Sequence, residues 1–186
     1  MLNWIFYPRT EKIPLFLRET VGVFEKYEGL FDSEIQLKRV DKNELDKQLD
    51  SNEVLKIVEP ALEELGYSVE KSKKKEDKIR VTVKYGNTGN EDLNFEADAY
   101  NAEYKVVIEV EAGRALANNQ FLKDIFQASM MIDTDYLILA VKNVYRNNKT
   151  AKTVTKDFEK INEFIETIYL TKKIDLDLKG ILLIGY

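Results

Sequence analysis

The chain contains no cysteine and no histidine among its 186 residues. The first absence excludes disulfides, thiolate metal sites and a cysteine nucleophile. The second removes the commonest general base, the Ser-His-Asp arrangement and the usual zinc ligands. Hydrolytic chemistry is thereby left to carboxylates, lysine, tyrosine or a hard cation held by oxygen. No apolar run approaches the roughly 20 residues that span a bilayer, so no membrane partner is expected. The amino terminus, MLNWIFYPRTEK, has neither a basic region ahead of its apolar residues nor a small-residue cleavage site, which predicts no signal peptide and a cytoplasmic protein. Net positive charge is lacking too. A formal charge of −5 gives no overall attraction to nucleic acid, but the field at a site follows the arrangement of charges, so a local basic cleft is compatible with it.

What is present fits a soluble globular domain: 44% hydrophobic and 33% charged residues. The length suits one domain spanning residues 1–186, with 44–186 as its core. Residues 1–43 hold two of the three prolines and the aromatics Trp4, Phe6, Tyr7, Phe16, Phe24 and Tyr27. They are expected to form an extension packed on the core or used in association.

Helical spacing of Val54, Leu55, Val58, Ala61, Leu62 and Leu65 predicts a helix over residues 41–65, with Ser51 able to cap its second part and Gly66 as its stop. Pro60 predicts a kink or break inside it. After an extended GYSVE, the lysine-rich KSKKKEDK precedes IRVTVKYG, where Ile79, Val81 and Val83 alternate with Arg80, Thr82 and Lys84 as in a half-exposed strand with a basic outer face. GNTGN is a turn. LNFEADAYN is a second strand with Glu96, Asp98 and Tyr100 on one face, and EYKVVIEVEAG a third. NNQFLKDIFQASMMI fits a helix with Phe121, Leu122, Ile125, Phe126, Ser129 and Ile132 inward and Gln120, Lys123, Asp124 and Gln127 outward. YLILAV, TKDFEKINEFIETIYL and GILLIGY complete the order as strand, helix and strand. Three successive strands favour an antiparallel meander, and the later strand–helix–strand units favour parallel pairing. A mixed central sheet flanked by helices follows.

The third strand poses a question. Its side-chain period of two sends Val106, Ile108 and Val110 to one face and Val107, Glu109 and Glu111 to the other. If the second and third strands pair, Asp98, Glu109 and Glu111 converge at one end of the sheet. Unpaired buried carboxylates repel each other and are costly. A divalent cation removes that cost, and all-oxygen ligation selects a hard ion such as Mg²⁺. The alternative is that these acids lie on the solvated face of a half-exposed sheet. The apolar surroundings, VVI before them and YLILAV as the expected neighbouring strand, favour a central strand whose acidic end is conspicuous.

An acidic helix, strands carrying Asp98 and Glu109-Val110-Glu111, then a helix and a strand, over about residues 50–145, resemble the PD-(D/E)xK nuclease superfamily. The last motif position is usually lysine; here it is Glu111. This Glu-x-Glu variant, with a glycine one residue further on in EVEAG, resembles the BamHI-like type II restriction endonucleases. The resemblance implies an α/β (α+β), restriction-endonuclease-like fold and a Mg²⁺-dependent endonuclease, with Mn²⁺ as substitute, that hydrolyses phosphodiester bonds in double-stranded DNA. By the same resemblance Asp98, Glu109 and Glu111 are the catalytic residues. Asp98, Glu109 and the Val110 carbonyl bind the metal, and Glu111 orients or deprotonates the attacking water or helps to bind a second ion. A glutamate of the first helix, Glu53 or Glu59, faces the site. A homodimer is implied, each subunit cutting one strand of a palindrome, with a companion DNA methyltransferase acting separately.

Phosphate contacts are expected from Arg114, Asn118, Asn119 and Lys123 after the acidic strand. The basic stretch Lys71, Lys73, Lys74, Lys75, Lys78, Arg80 and Lys84 is a further candidate, because phosphate neutralisation dominates affinity for DNA. Each of these also reads as an ordinary solvated loop or helix face. Two other functions stand beside the restriction enzyme: a nuclease of the same fold in repair, recombination or mobile-element defence, and an inactive nuclease-like binding module.

Overall fold

The computed structural model describes residues 1–31, 49–72, 74–113, 115–116, 119–146 and 154–186. Strand β1 (Asn3–Tyr7) leads into helix α1 (Leu15–Phe31); helix α2 (Ser51–Glu64) precedes the short strand β2 (Ser68–Val69). Strands β3 (Ile79–Tyr85) and β4 (Glu91–Ala97) form a hairpin, followed by β5 (Ala99–Asn101) and β6 (Val106–Glu111). Helix α3 (Gln120–Met130), strand β7 (Tyr136–Val141), the small ladder of β8 (Tyr145–Arg146) and β9 (Val154–Thr155), helix α4 (Asp157–Thr171) and strand β10 (Gly180–Gly185) complete the chain.

Six strands form a mixed sheet in the order β1-β10-β7-β6-β5-β2. Strands β6, β7 and β10 run parallel, joined by α3 and α4 as the strand–helix–strand pattern predicts, while β1, β5 and β2 add antiparallel edges. Alternation along the central strands divides the core into two layers. Val106, Ile108 and Val110 meet α1 and α2 through Leu17, Val21, Phe24, Val54, Val58 and Leu62. Val107, Leu137, Leu139 and Leu183 meet α3 and α4 through Phe121, Ile125, Ile161 and Ile165. Glu109 and Glu111 belong to this second face, where Val107's row reaches the carboxyl end of the sheet.

Several expectations are corrected. The meander does not form: β3 and β4 make a separate two-stranded sheet, and the predicted second strand breaks at Asp98 because β4 and β5 enter different sheets. The described helix begins at Ser51, capped by Asp50 rather than Ser51; the Asp50 side chain accepts from the Glu53 N–H and the Glu53 carboxylate from the Asp50 N–H. Residues 41–48 of the predicted helix lie outside the described residues. Pro60 does not break α2, whose buried Val58, Ala61 and Leu62 hold it to the core on both sides of the proline. The buried stripe of α3 is Phe121, Asp124, Ile125 and Ala128. Thus Asp124 turns inward, whereas Phe126 and Ile132, expected inside, are 42% and 50% exposed. Thr82, expected on the outer basic face of β3, is buried, and its carbonyl accepts from the Ile132 N–H at 2.9 Å.

Candidate active site

Pairing of Ala99 with Ile108 puts Asp98 opposite Glu109, one residue beyond the β5–β6 ladder. The break at Asp98 frees its carboxylate from the strand, and Oδ2 accepts the Val110 N–H at 2.7 Å. Glu109 is held from the other side by β7, in register with Leu139, and Glu111 with Val141. Asp98 and Glu109 are closely surrounded by protein yet keep contact with solvent. They lie at the carboxyl ends of three parallel strands, where open α/β sheets place their ligand sites. Asp98 and Glu109 thus come together as the spacing predicted. Val110 is tied to Asp98 through its N–H.

The sequence reading missed two further acids. Asp124 enters from α3 with 3% exposure. Its Oδ1 meets the Gln120 amide at 3.5 Å and the Lys123 ammonium at 4.0 Å, and its Oδ2 has no hydrogen-bond partner among the described residues. The Glu111 side chain lies within hydrogen-bonding reach of Asp124. Glu70, just after β2, has a side chain 8% exposed, pairs with Lys78 at 2.8 Å and also bears on Asp98. A polar residue within an i, i+3, i+4, i+7 apolar stripe was the signal available for Asp124. Glu53 and Glu59 are engaged elsewhere, Glu53 in the cap of α2 and Glu59 with Lys71 at 3.8 Å. Neither is among the charges that bear on Asp98, Glu109 or Asp124.

Burial dominates the electrostatics. It raises Asp98 from 3.8 to about 6, opposed by the Val110 hydrogen bond and reinforced by Glu70 and Asp124. Glu109 is driven well above its ordinary value, first by burial and then by Asp98 and Asp124. Asp124 rises to about 6, again through burial, with Lys123 and its hydrogen bonds opposing. At neutral pH such a cluster calls for a cation or a bound proton. Among the described residues no three acidic side chains form a ready-made metal cage. Two carboxylates suffice for Mg²⁺, which keeps most of its waters and takes further oxygens from phosphate, so the donors of Asp98 and Glu109 fit it.

Gly113, the glycine of EVEAG, has φ +122°, and a Cβ there would lie 2.2 Å from the Tyr145 ring. The ring occupies the space a side chain would need, so the turn leaving β6 requires glycine. Lys142, just past β7, is 6% exposed; burial lowers it to about 8, and Nζ donates to the Leu49 carbonyl at 2.7 Å, tying the approach to α2 to the sheet.

The basic candidates divide. Lys123 is half exposed beside the carboxylates, close enough for its charge to bear on Glu109 and Asp124. Lys71 pairs with Glu63 at 3.0 Å, Lys78 with Glu70 and Glu96, and Lys84 with Asp92 at 2.6 Å. Lys74, Lys75 and Arg80 are exposed. Lys73, Arg114 and Asn118 lie outside the described residues.

No family model matches the sequence, and no curated protein matches it either. Among solved structures, the chain is similar to restriction endonuclease BglII complexed with a DNA 16-mer: TM-score 0.50 and 12% identity, covering 100% of this chain and 75% of that one. The mixed central sheet flanked by helices, with its acidic end where β5, β6 and α3 meet, is a restriction-endonuclease fold.

Proposed function

We propose that this protein is a divalent-cation-dependent DNA endonuclease of the type II restriction class, acting as a homodimer on double-stranded DNA. The observation that carries the reading is the juxtaposition of Asp98 and Glu109, two crowded carboxylates, at the carboxyl end of the parallel strands. A restriction-endonuclease fold around that pair supports it. Asp98 and Glu109, with the Val110 carbonyl, would hold Mg²⁺ or Mn²⁺, which supplies Lewis-acid stabilisation of the scissile phosphate and acidifies a bound water. The Val110 N–H holds the Asp98 carboxylate in place. Glu111, on the same face two residues on, would accept a proton from the attacking water. Lys123 presents positive charge at the rim, and Lys74, Lys75 and Arg80 carry exposed charge that suits the DNA backbone. A homodimer matches a two-fold target, one subunit for each strand, and a separate methyltransferase would protect the host's own sites.

The test is incubation of the purified protein with plasmid and phage DNA in Mg²⁺ or Mn²⁺, beside Asp98→Asn and Glu109→Gln. Discrete fragments are expected from the wild type. Each variant is expected to lose activity by on the order of 10²–10³ or more, the scale of removing a preorganised electrostatic stabiliser. A smear that both variants abolish would point to a nuclease without sequence specificity. Intact DNA throughout would overturn the enzymatic reading.

A further inference from the structure

We propose that Lys78 is a phosphate-binding residue of the candidate site: Glu70 fixes its ammonium beside Asp98, and Glu96 holds the place that a DNA backbone phosphate takes. The inference rests on the nuclease reading above and adds a DNA contact to it. Two ladders meet at Asp98. Pairing of Ala99 with Ile108 carries the register of β5 and β6 on to Asp98 and Glu109. Pairing of Ile79 with Ala97 carries that of β3 and β4 on to Lys78 and Asp98, and the Lys78 backbone is already extended, with φ −75° and ψ 132°. Asp98 therefore stands between Glu109 on one side and Lys78 on the other. Burial raises the Asp98 carboxyl, and the Lys78 ammonium is among the charges that bear on it, lowering it.

The two partners of the ammonium differ. Its bond to Glu70 is 2.8 Å, the length of a charge-assisted hydrogen bond, and the Glu70 side chain is 8% exposed. The Glu70 N–H in turn donates to the Asp98 carbonyl at 2.8 Å, which ties the pair to the backbone of the acid itself. Glu96 lies at 3.4 Å with its side chain 56% exposed, and pairs with so exposed a partner contribute little. An ammonium has three donors. A phosphate oxygen can therefore displace Glu96 into solvent while Glu70 keeps the ammonium in place. Glu70 stays neutralised in that exchange, as it must, because a buried carboxylate left unpaired is costly. Arg80, two residues along β3 and opposite Glu96 in the ladder, is exposed, so the departure of Glu96 opens two cations about 7 Å apart on one face of the strand.

Gel-shift titration of a mixed-sequence duplex in Ca²⁺, between about 50 and 200 mM salt, tests this. Lys78→Gln is expected to weaken binding roughly 8-fold at about 100 mM salt and to reduce the slope of log K against log salt by about 0.9, the share of one phosphate. Lys78→Arg, which keeps the charge, is expected to retain most of the affinity. Glu96→Gln is expected to tighten binding by about 2–5-fold, the worth of an exposed pair released. That gain is expected to disappear in the double variant with Lys78→Gln, whereas loss of a merely distant negative charge acts equally in both backgrounds. Thermal unfolding shows that each variant is folded, and Glu96→Gln alone keeps the proposal open to refutation should Lys78→Gln fail to fold. Unchanged affinity and slope in Lys78→Gln, no gain in Glu96→Gln, or an equal gain with and without Lys78 would overturn the proposal while leaving the nuclease reading intact. A wild type that neither binds nor cuts DNA would overturn both.

Discussion

Asp98, Glu109 and Asp124 are each held where water cannot solvate them fully, and the consequence is thermodynamic before it is catalytic. Asp98 rises from 3.8 to about 6, so the folded protein keeps a proton that the unfolded chain releases between those values. Its contribution to stability is fully present below pH 3.8 and is lost as pH rises through about 6. By neutral pH the loss amounts to at most ~3 kcal/mol. In the metal-free protein Asp98→Asn is therefore expected to raise Tm at pH 7.5 by several degrees, at about 2–4 °C per kcal/mol for a chain of this size. The gap should close at pH 4 and shrink or reverse on adding Mg²⁺. Thermal unfolding of both proteins in a chelator, from pH 4 to 8, checks it, and a gap independent of pH would refute it. The pairing of Asp98 with Glu109 was legible at this scale, because a period of two and a short connection leave little freedom. The inward turn of Asp124 was not, because Phe126 and Ile132 offered an equally apolar face.

The elements show where local rules sufficed. The capping box at Asp50 and Glu53 answers to local chemistry alone, yet the cap was expected one residue later because serine and aspartate both serve there. Asp50→Ala is expected to cost about 1 kcal/mol of stability and to leave Mn²⁺ affinity unchanged, as denaturant unfolding and calorimetry would show. A fall in metal affinity would mean that the start of α2 reaches the site after all. Pro60 shows a local rule overridden: burial of Val58, Ala61 and Leu62 carries α2 across the missing N–H. The break at Asp98 has no signal in LNFEADAYN, whose alternation continues through it. It arises because β4 turns away with β3 while β5 joins β6.

At the scale of the whole molecule, the proposed function requires a chain of net charge −5 to bind a polyanion. Ion pairing neutralises Lys71, Lys78 and Lys84 within the fold and leaves Lys74, Lys75 and Arg80 exposed near the β3–β4 hairpin. Replacing these three by alanine is expected to weaken DNA binding in Ca²⁺ and to reduce the slope of log K against log salt by up to about 2.7, at ~0.9 for each phosphate no longer neutralised. Gel-shift titrations between 50 and 200 mM salt, an interval over which three such phosphate contacts change affinity by roughly 40-fold, measure it. An unchanged slope would place the DNA elsewhere.

The sequence by itself determined the strand that carries the acids, the parallel units built on α3 and α4, and the exclusion of cysteine and histidine chemistry. These follow from side-chain periodicity and composition, which are properties of neighbouring residues. Only the tertiary structure decided that the hairpin stands apart from the central sheet, that Asp124 and Glu70 rather than Glu53 or Glu59 bear on Asp98, and which lysines the fold engages in ion pairs. Those outcomes depend on which faces meet across the core and which charges meet across elements distant in sequence, and no local pattern encodes that.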